Sequence, residues 1–152
     1  MLSRMMNIET AHFGCLGVDI EDAIRFPLGL PGLENRCRWV LLTPPGDSAV
    51  SWLQSVECPA TALAVVDPCR FVADYQLRTP RQGLDDLKLH SLDDARVLVT
   101  VNRTQKGLAI DLKAPLVINS RLRIGRQLIA NGDMPMRHLL EDVSRQTARK
   151  IA

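Results

Sequence analysis

Apolar residues in this chain come in short runs cut by glycine, proline and small polar residues. Val97, Val99 and Val101 interleave with Leu98 and Thr100 as a strand, and Gly107–Leu112 is placed to pair with them across Arg103–Lys106. Trp39–Thr43 is continuous enough in apolar character to be a buried strand. Val50, Trp52 and Leu53 mark another, and Ala62–Asp67 a further one that Pro68 ends. The segment Glu57–Thr61 between those two has the length of a hairpin connection. Ile8, Thr10, His12 and Phe13 open a strand that Gly14 breaks, and Cys15–Ile20 and Ala23–Phe26 follow as two more. Leu116–Asn119 and Ile124–Ala130 complete the series, with turns at Pro44–Asp47 and at Asn131–Gly132.

Two segments break this pattern toward helix. Between Thr79 and Ala95, Leu84, Leu87 and Leu92 stand among paired aspartates (Asp85, Asp86, Asp93, Asp94), which predicts one or two short helices with Ser91 and Asp93 as N-caps. Met136, Leu139, Leu140 and Val143 fall at i, i+3, i+4 and i+7 and predict a C-terminal helix. The run Phe26–Leu33 fits neither class. Pro27 and Pro31 fix φ while Gly29 and Gly32 admit positive φ, so a rigid irregular loop is expected. Many short strands with turn residues between them give the fold class: mainly β, an antiparallel sandwich or barrel in one domain over 1–140. A basic tail over 141–152 follows it.

Composition agrees with one such domain. The 152 residues are 46% hydrophobic and 24% charged, enough to bury a core, and the 4% aromatic content leaves that core to Leu, Val, Ile and Ala. The net charge of +2 resides from Arg137 onward, and residues 1–136 carry 15 basic and 15 acidic groups. A neutral body gives no global electrostatic case for nucleic acid. No apolar run is long enough for an export signal or a spanning helix, so no membrane association is expected. Cys15, Cys37, Cys58 and Cys69 include no close pair. The expectation is reduced, mostly buried thiols with no metal site.

Catalytic motifs do not emerge. The three histidines (His12, His90, His138) sit in no metalloprotease pattern, and no nucleophile elbow, phosphate loop or dinucleotide fingerprint occurs. Neither an enzyme nor a cofactor is expected. Arg121, Arg123 and Arg126 form a basic cluster in which Arg121 and Arg123 share a face at strand spacing. With the tail they constitute the rival reading, a nucleic-acid-binding β module; a solvated strand face is the plainer account. Trp52 and Gln54 share a face of their strand. They form either a recognition surface or a core anchor beside a backbone-satisfying amide.

Several blocks taken together resemble the flagellar assembly factor FliW family. They are Ile24–Glu34 (IRFPLGLPGLE), Trp52–Glu57 (WLQSVE), Val65–Pro68 (VVDP), Leu112–Asn119 (LKAPLVIN), Gly125–Gln127 (GRQ) and Pro135–His138 (PMRH), in that order. The resemblance covers about residues 6–140. It implies a cytoplasmic, non-enzymatic protein with a compact β-barrel-like fold. Such a protein binds the translational repressor CsrA and relieves its block on flagellin mRNA. It also binds flagellin as a competing partner. A monomer is favoured, and direct nucleic-acid binding is not expected. Family members are commonly acidic, whereas this body is neutral. The partner-binding surface is placed at Gln54, Ser55, Glu57 and Asp67, polar positions adjoining two signature strands; their alternative role is as turn and cap residues. Phe26, Pro27, Gly29, Pro31, Gly32, Pro115 and Asn119 are expected to be structural.

Overall fold

The computed structural model describes residues 4–30, 32–44, 46 and 48–140. Pro31, Pro45 and Asp47 of the two expected turn segments lie outside the described residues. So do the tail 141–152 and, with it, Val143. The chain is mainly β. In order, the strands are β1 (Met5–Thr10), β2 (Gly14–Asp19), β3 (Ile24–Arg25), β4 (Arg38–Leu42), β5 (Val50–Ser55) and β6 (Ala62–Val66). After the one α-helix among the described residues, α1 (Arg81–Asp86), come β7 (Ala95–Thr104), β8 (Gly107–Ile110), β9 (Leu116–Asn119), β10 (Ile124–Gln127) and β11 (His138–Leu139).

The pairings close on themselves. β7 is long enough to serve two neighbours. Its first half pairs with β9, Ala95 opposite Asn119 to Leu98 opposite Leu116, and its centre pairs with β6, Val65 opposite Thr100. The circuit then runs β6–β5–β4–β3–β10–β9 and returns to β7. All joints in it are antiparallel except β3–β10, a parallel contact with Ile124 opposite Arg25, reinforced by the Arg25 amide donating to the Arg123 carbonyl at 3.0 Å. Beyond the circuit, the C-terminal half of β7 carries β8, and β8 carries β11, as a projecting wing.

Strand alternation sorts the cores. Leu53, Val65, Leu98, Leu116 and Ile118 turn inward and meet Phe26 and Trp39, both wholly buried. Trp39 satisfies its indole N–H on the Arg36 carbonyl at 2.9 Å. Their outward neighbours serve two smaller cores. Val66, Val99 and Ile110 pack beneath the segment holding Phe71 and Tyr75. Val117 packs with Leu87 and Leu128 under α1.

Four expectations are corrected. The helix expected from Met136, Leu139 and Leu140 is instead an extended segment. His138 and Leu139 pair with Ile110 and Ala109, and Met136 is exposed while Leu140 is buried, so these residues do not share one buried face. The core anchor is Trp39, while Trp52 is only half-buried and stacks edge-on against Phe13 at 5.9 Å. All four cysteines are free, and none is buried: Cys15 and Cys69 are exposed, Cys37 and Cys58 half-buried. Arg121 and Arg123 share no strand, because residues 120–123 form a turn in which Arg123 takes φ +56°. The helical stretch is as expected in kind, with α1 and a 3₁₀ turn at Leu92–Asp94. Ser91 caps that turn, its hydroxyl accepting from the Asp93 amide at 3.2 Å, and Asp93 lies inside it.

Candidate protein-binding surface

The loop after β5 is built by its own side chains. Gln54 faces away from the main core yet is wholly buried. Its amide nitrogen is shared among the carbonyls of Ser55, Cys58, Pro59 and Thr61 at 3.1–3.2 Å. The Ser55 hydroxyl accepts from the Cys58 amide at 3.0 Å. Both side chains are therefore committed to holding the loop and present no surface to a partner. Glu57, at the crest, is exposed and pairs with Arg38 on β4 at 2.9 Å. The next residue, Cys58, receives a hydrogen bond from the Thr61 hydroxyl at 3.0 Å. That bond, with help from Arg36 nearby, holds the thiol below its ordinary pKa despite opposing desolvation.

Asp67 lies elsewhere. Gln54 pairs with Ala62 and Val50 with Val66, so Glu57 and Asp67 occupy opposite ends of the β5–β6 hairpin, about 17–20 Å apart by strand length. Asp67 caps the 3₁₀ turn Pro68–Arg70, accepting from the Cys69 amide at 2.9 Å. The four sequence-chosen positions thus do not form one patch. What adjoins Glu57 is the tip of the β1–β2 hairpin. The Ala11 amide donates to the Pro59 carbonyl at 2.8 Å, and exposed Phe13 leans on Trp52. Phe13 and Trp52 give this surface apolar area beside a charged pair.

The signature loop is structural in its contacts. Gly29 has φ +65° and Gly32 φ +81°. The Gly32 amide donates to the Glu34 carboxylate at 3.1 Å, and backbone hydrogen bonds from Glu34 itself and Gly32 hold that carboxyl below its usual pKa. Phe26 abuts Gly125 so closely that a Cβ there would sit 2.7 Å from the ring. Pro27 is exposed on the loop, whereas Pro115 is buried ahead of β9. Asn119, 1% exposed, donates to the Leu87 carbonyl at 2.9 Å and accepts from the amides of Arg121 and Leu122 at 3.1 Å each. It ties α1 to the turn before β10.

The arginine cluster is largely engaged. Arg126 pairs with Asp86 on α1, and Arg123 approaches Asp22 at 3.8 Å. A second concave surface was not read from the sequence. It lies on the wing, between the β7–β8 turn (Arg103–Lys106) and the approach to β11 (Met136, Arg137). The sequence pattern marks 103–106 as a connection and Met136 to Val143 as a helix. The available signal was three cations, Arg103, Lys106 and Arg137, on two segments that only the fold brings together.

Among the described residues no group of three or more His, Cys, Asp or Glu side chains is placed to hold a metal ion, and no helix is long and apolar enough to cross a membrane.

Comparison with known proteins follows the same line. The family model described as FliW protein matches residues 7–140. A flagellar assembly factor FliW from Alkaliphilus metalliredigens is 30% identical over 145 residues, covering 92% of this chain and 90% of the relative. Another from Bdellovibrio bacteriovorus is 36% identical over 126 residues, covering 82% and 72%. A crystal structure of a flagellar assembly factor FliW superposes with a TM-score of 0.80 at 28% identity, covering 88% of this chain and 95% of that one.

Proposed function

This chain belongs to the FliW family, and from that premise we propose that it is a cytoplasmic, non-enzymatic regulator of flagellin synthesis. In this reading it binds CsrA and lifts its repression of flagellin mRNA. Flagellin competes for the same protein, so free flagellin captures it and returns CsrA to repression. The observation carrying the proposal is the family match across residues 7–140 together with the structural match at TM-score 0.80. Two protein ligands for one limiting binder is a population switch that needs no catalytic group.

We place the contact on the crest of the loop after β5, with Glu57 as the charged member and the Phe13–Trp52 pair as the apolar one. Gln54 and Ser55 act through the loop's shape. Asp67, at the far end of the hairpin, is assigned to folding.

A pull-down from flagellated cells, scored for CsrA and flagellin, tests the function; recovery of neither refutes it. Glu57→Arg tests the placement. The Arg38–Glu57 pair is exposed and worth only about 0.2–1 kcal/mol, so the melting temperature stays near wild type. CsrA affinity falls at least tenfold, and unchanged affinity refutes the placement. The rival nucleic-acid reading predicts direct, steeply salt-dependent binding of flagellin leader RNA by this chain alone.

A further inference from the structure

We propose that the wing carries a second docking site, which takes an extended acidic peptide segment as an added strand on β11. The backbone comes first. The Leu140 amide donates to the Leu108 carbonyl at 2.8 Å, so that pair is hydrogen-bonded. By antiparallel alternation the neighbouring pair, Leu139 opposite Ala109, is not. The N–H and C=O of Leu139 therefore point away from β8. Among the described residues no strand lies on that side, since β11 ends the sheet. An edge of this kind offers ladder partners to an incoming chain.

The side chains specify what comes. Asn102, Ala109 and Leu139 form a row across three strands and floor a groove of about 1030 Å³. Arg137 lines the same groove. Arg103 and Lys106 stand at the turn end and Met136 at the other. The lining carries three cations against one carboxylate, Asp111, whose Oδ1 already accepts from the amides of Lys113 and Ala114. Among the described residues none of the three cations has a salt-bridge partner. Met136 and Leu139 are 67% and 38% exposed, apolar area beside the free edge. A peptide with acidic groove-facing side chains satisfies both the charge and the edge. Single-stranded RNA satisfies only the charge, and no aromatic side chain lines the groove to stack its bases.

This site rests on the protein-binding reading and deepens it, but its test needs neither CsrA nor flagellin. A blocked, fluorescent Glu–Thr repeat of about ten residues, long enough to span the edge, is titrated onto the full chain. Three controls run beside it: the same peptide N-methylated at alternate residues, a Lys–Thr repeat, and a short single-stranded RNA as competitor. We expect saturable binding of the acidic peptide, at least tenfold weaker for the N-methylated form and for the double variant K106E/R137E. Both replaced residues are exposed, so an unchanged melting curve accompanies the loss. No binding, equal binding of the N-methylated or basic peptide, or displacement by RNA overturns the proposal. If the peptide fails while the pull-down recovers CsrA or flagellin, only the groove is refuted.

Discussion

Gly29 and Gly32 sit in one loop with the same sign of φ, yet the structure predicts unequal responses to alanine. At Gly29, φ is +65° and an added Cβ would lie 2.5 Å from the Glu34 Cα and 2.7 Å from its carbonyl oxygen. Those atoms are backbone and cannot rotate aside. Left-handed backbone costs an L-residue about 1–2 kcal/mol. Pushing two chain segments apart adds about 1–3 kcal/mol. Gly29→Ala should therefore destabilise by about 2–5 kcal/mol, a large part of the about 5–15 kcal/mol that holds a domain together. At Gly32, φ is +81° but nothing lies within 4 Å of the added Cβ. Gly32→Ala should cost the backbone term alone, about 1–2 kcal/mol. For a domain of this size each kcal/mol moves the midpoint by about 2–4 °C, so the shifts are about 4–20 °C and about 2–8 °C. Thermal and urea unfolding of both variants decides it, with the m-value as a check that unfolding stays cooperative. Equal shifts would refute the steric argument and leave only φ; no shift at Gly29 would refute both.

Asn119→Ala removes the link between α1 and the turn before β10 and should destabilise by about 2–3 kcal/mol, with amide exchange at Arg121 and Leu122 accelerating first; unchanged exchange there contradicts the role. The Thr61 hydrogen bond lowers the Cys58 pKa, whereas desolvation and Asp67 raise that of Cys69. At neutral pH iodoacetamide should label Cys58 well ahead of Cys69 by peptide mapping, and Thr61→Val should narrow the gap. Glu34 has its folded pKa depressed. Its support of the loop is therefore present above the ordinary carboxylate pKa of about 4.3 and lost as pH falls through the lower folded value. Protection of the Gly32 amide, corrected for intrinsic exchange, should drop in that acid range, and Glu34→Gln should flatten the profile.

The strands were legible where packing is local. Period-two alternation in Val97–Val101 and the turn at Arg103–Lys106 needed no distant partner to be read, and both are in the fold. The failures have one cause. At Met136–Leu140 three apolar residues at helical spacing suggested a helix, and it took pairing with β8 to make that segment extended. Trp39 and Trp52 are equally apolar on paper. Which enters the core depends on strand phase within the circuit, set by the pairing of Trp39 with Ser55 and Trp52 with Ala64. Gln54 stands out in the sequence as a polar residue sharing a strand face with Trp52. Its burial shows that the amide serves four carbonyls of its own loop rather than a partner. The closing joint between β7 and β9 was not legible, because it joins residues whose relation exists only in three dimensions.

The neighbouring joint between β3 and β10 gathers three of the six family blocks. The parallel β3–β10 contact has one register pair, the sparsest link in the circuit. Around it gather Phe26 against Gly125, the Gly29 turn beside Glu34, Asn119 beneath the turn into β10, and Gln127 donating to the Ala114 carbonyl at 3.0 Å. They come from three blocks, Ile24–Glu34, Leu112–Asn119 and Gly125–Gln127, and together they supply by side-chain contacts what so short a ladder lacks in backbone hydrogen bonds. Blocks used this way hold the sparsest joint of the circuit by packing as well as by backbone pairing. The wing groove draws on both kinds of residue, since Met136 and Arg137 lie in the Pro135–His138 block. Arg103 and Lys106 belong to no family block, and the charge of their surface follows from the fold rather than from the near-neutral total. If partner selection in this chain lies there, K106E/R137E should alter binding while leaving the melting curve in place, and Gly125→Ala, which drives a methyl into the Phe26 ring, should do the reverse.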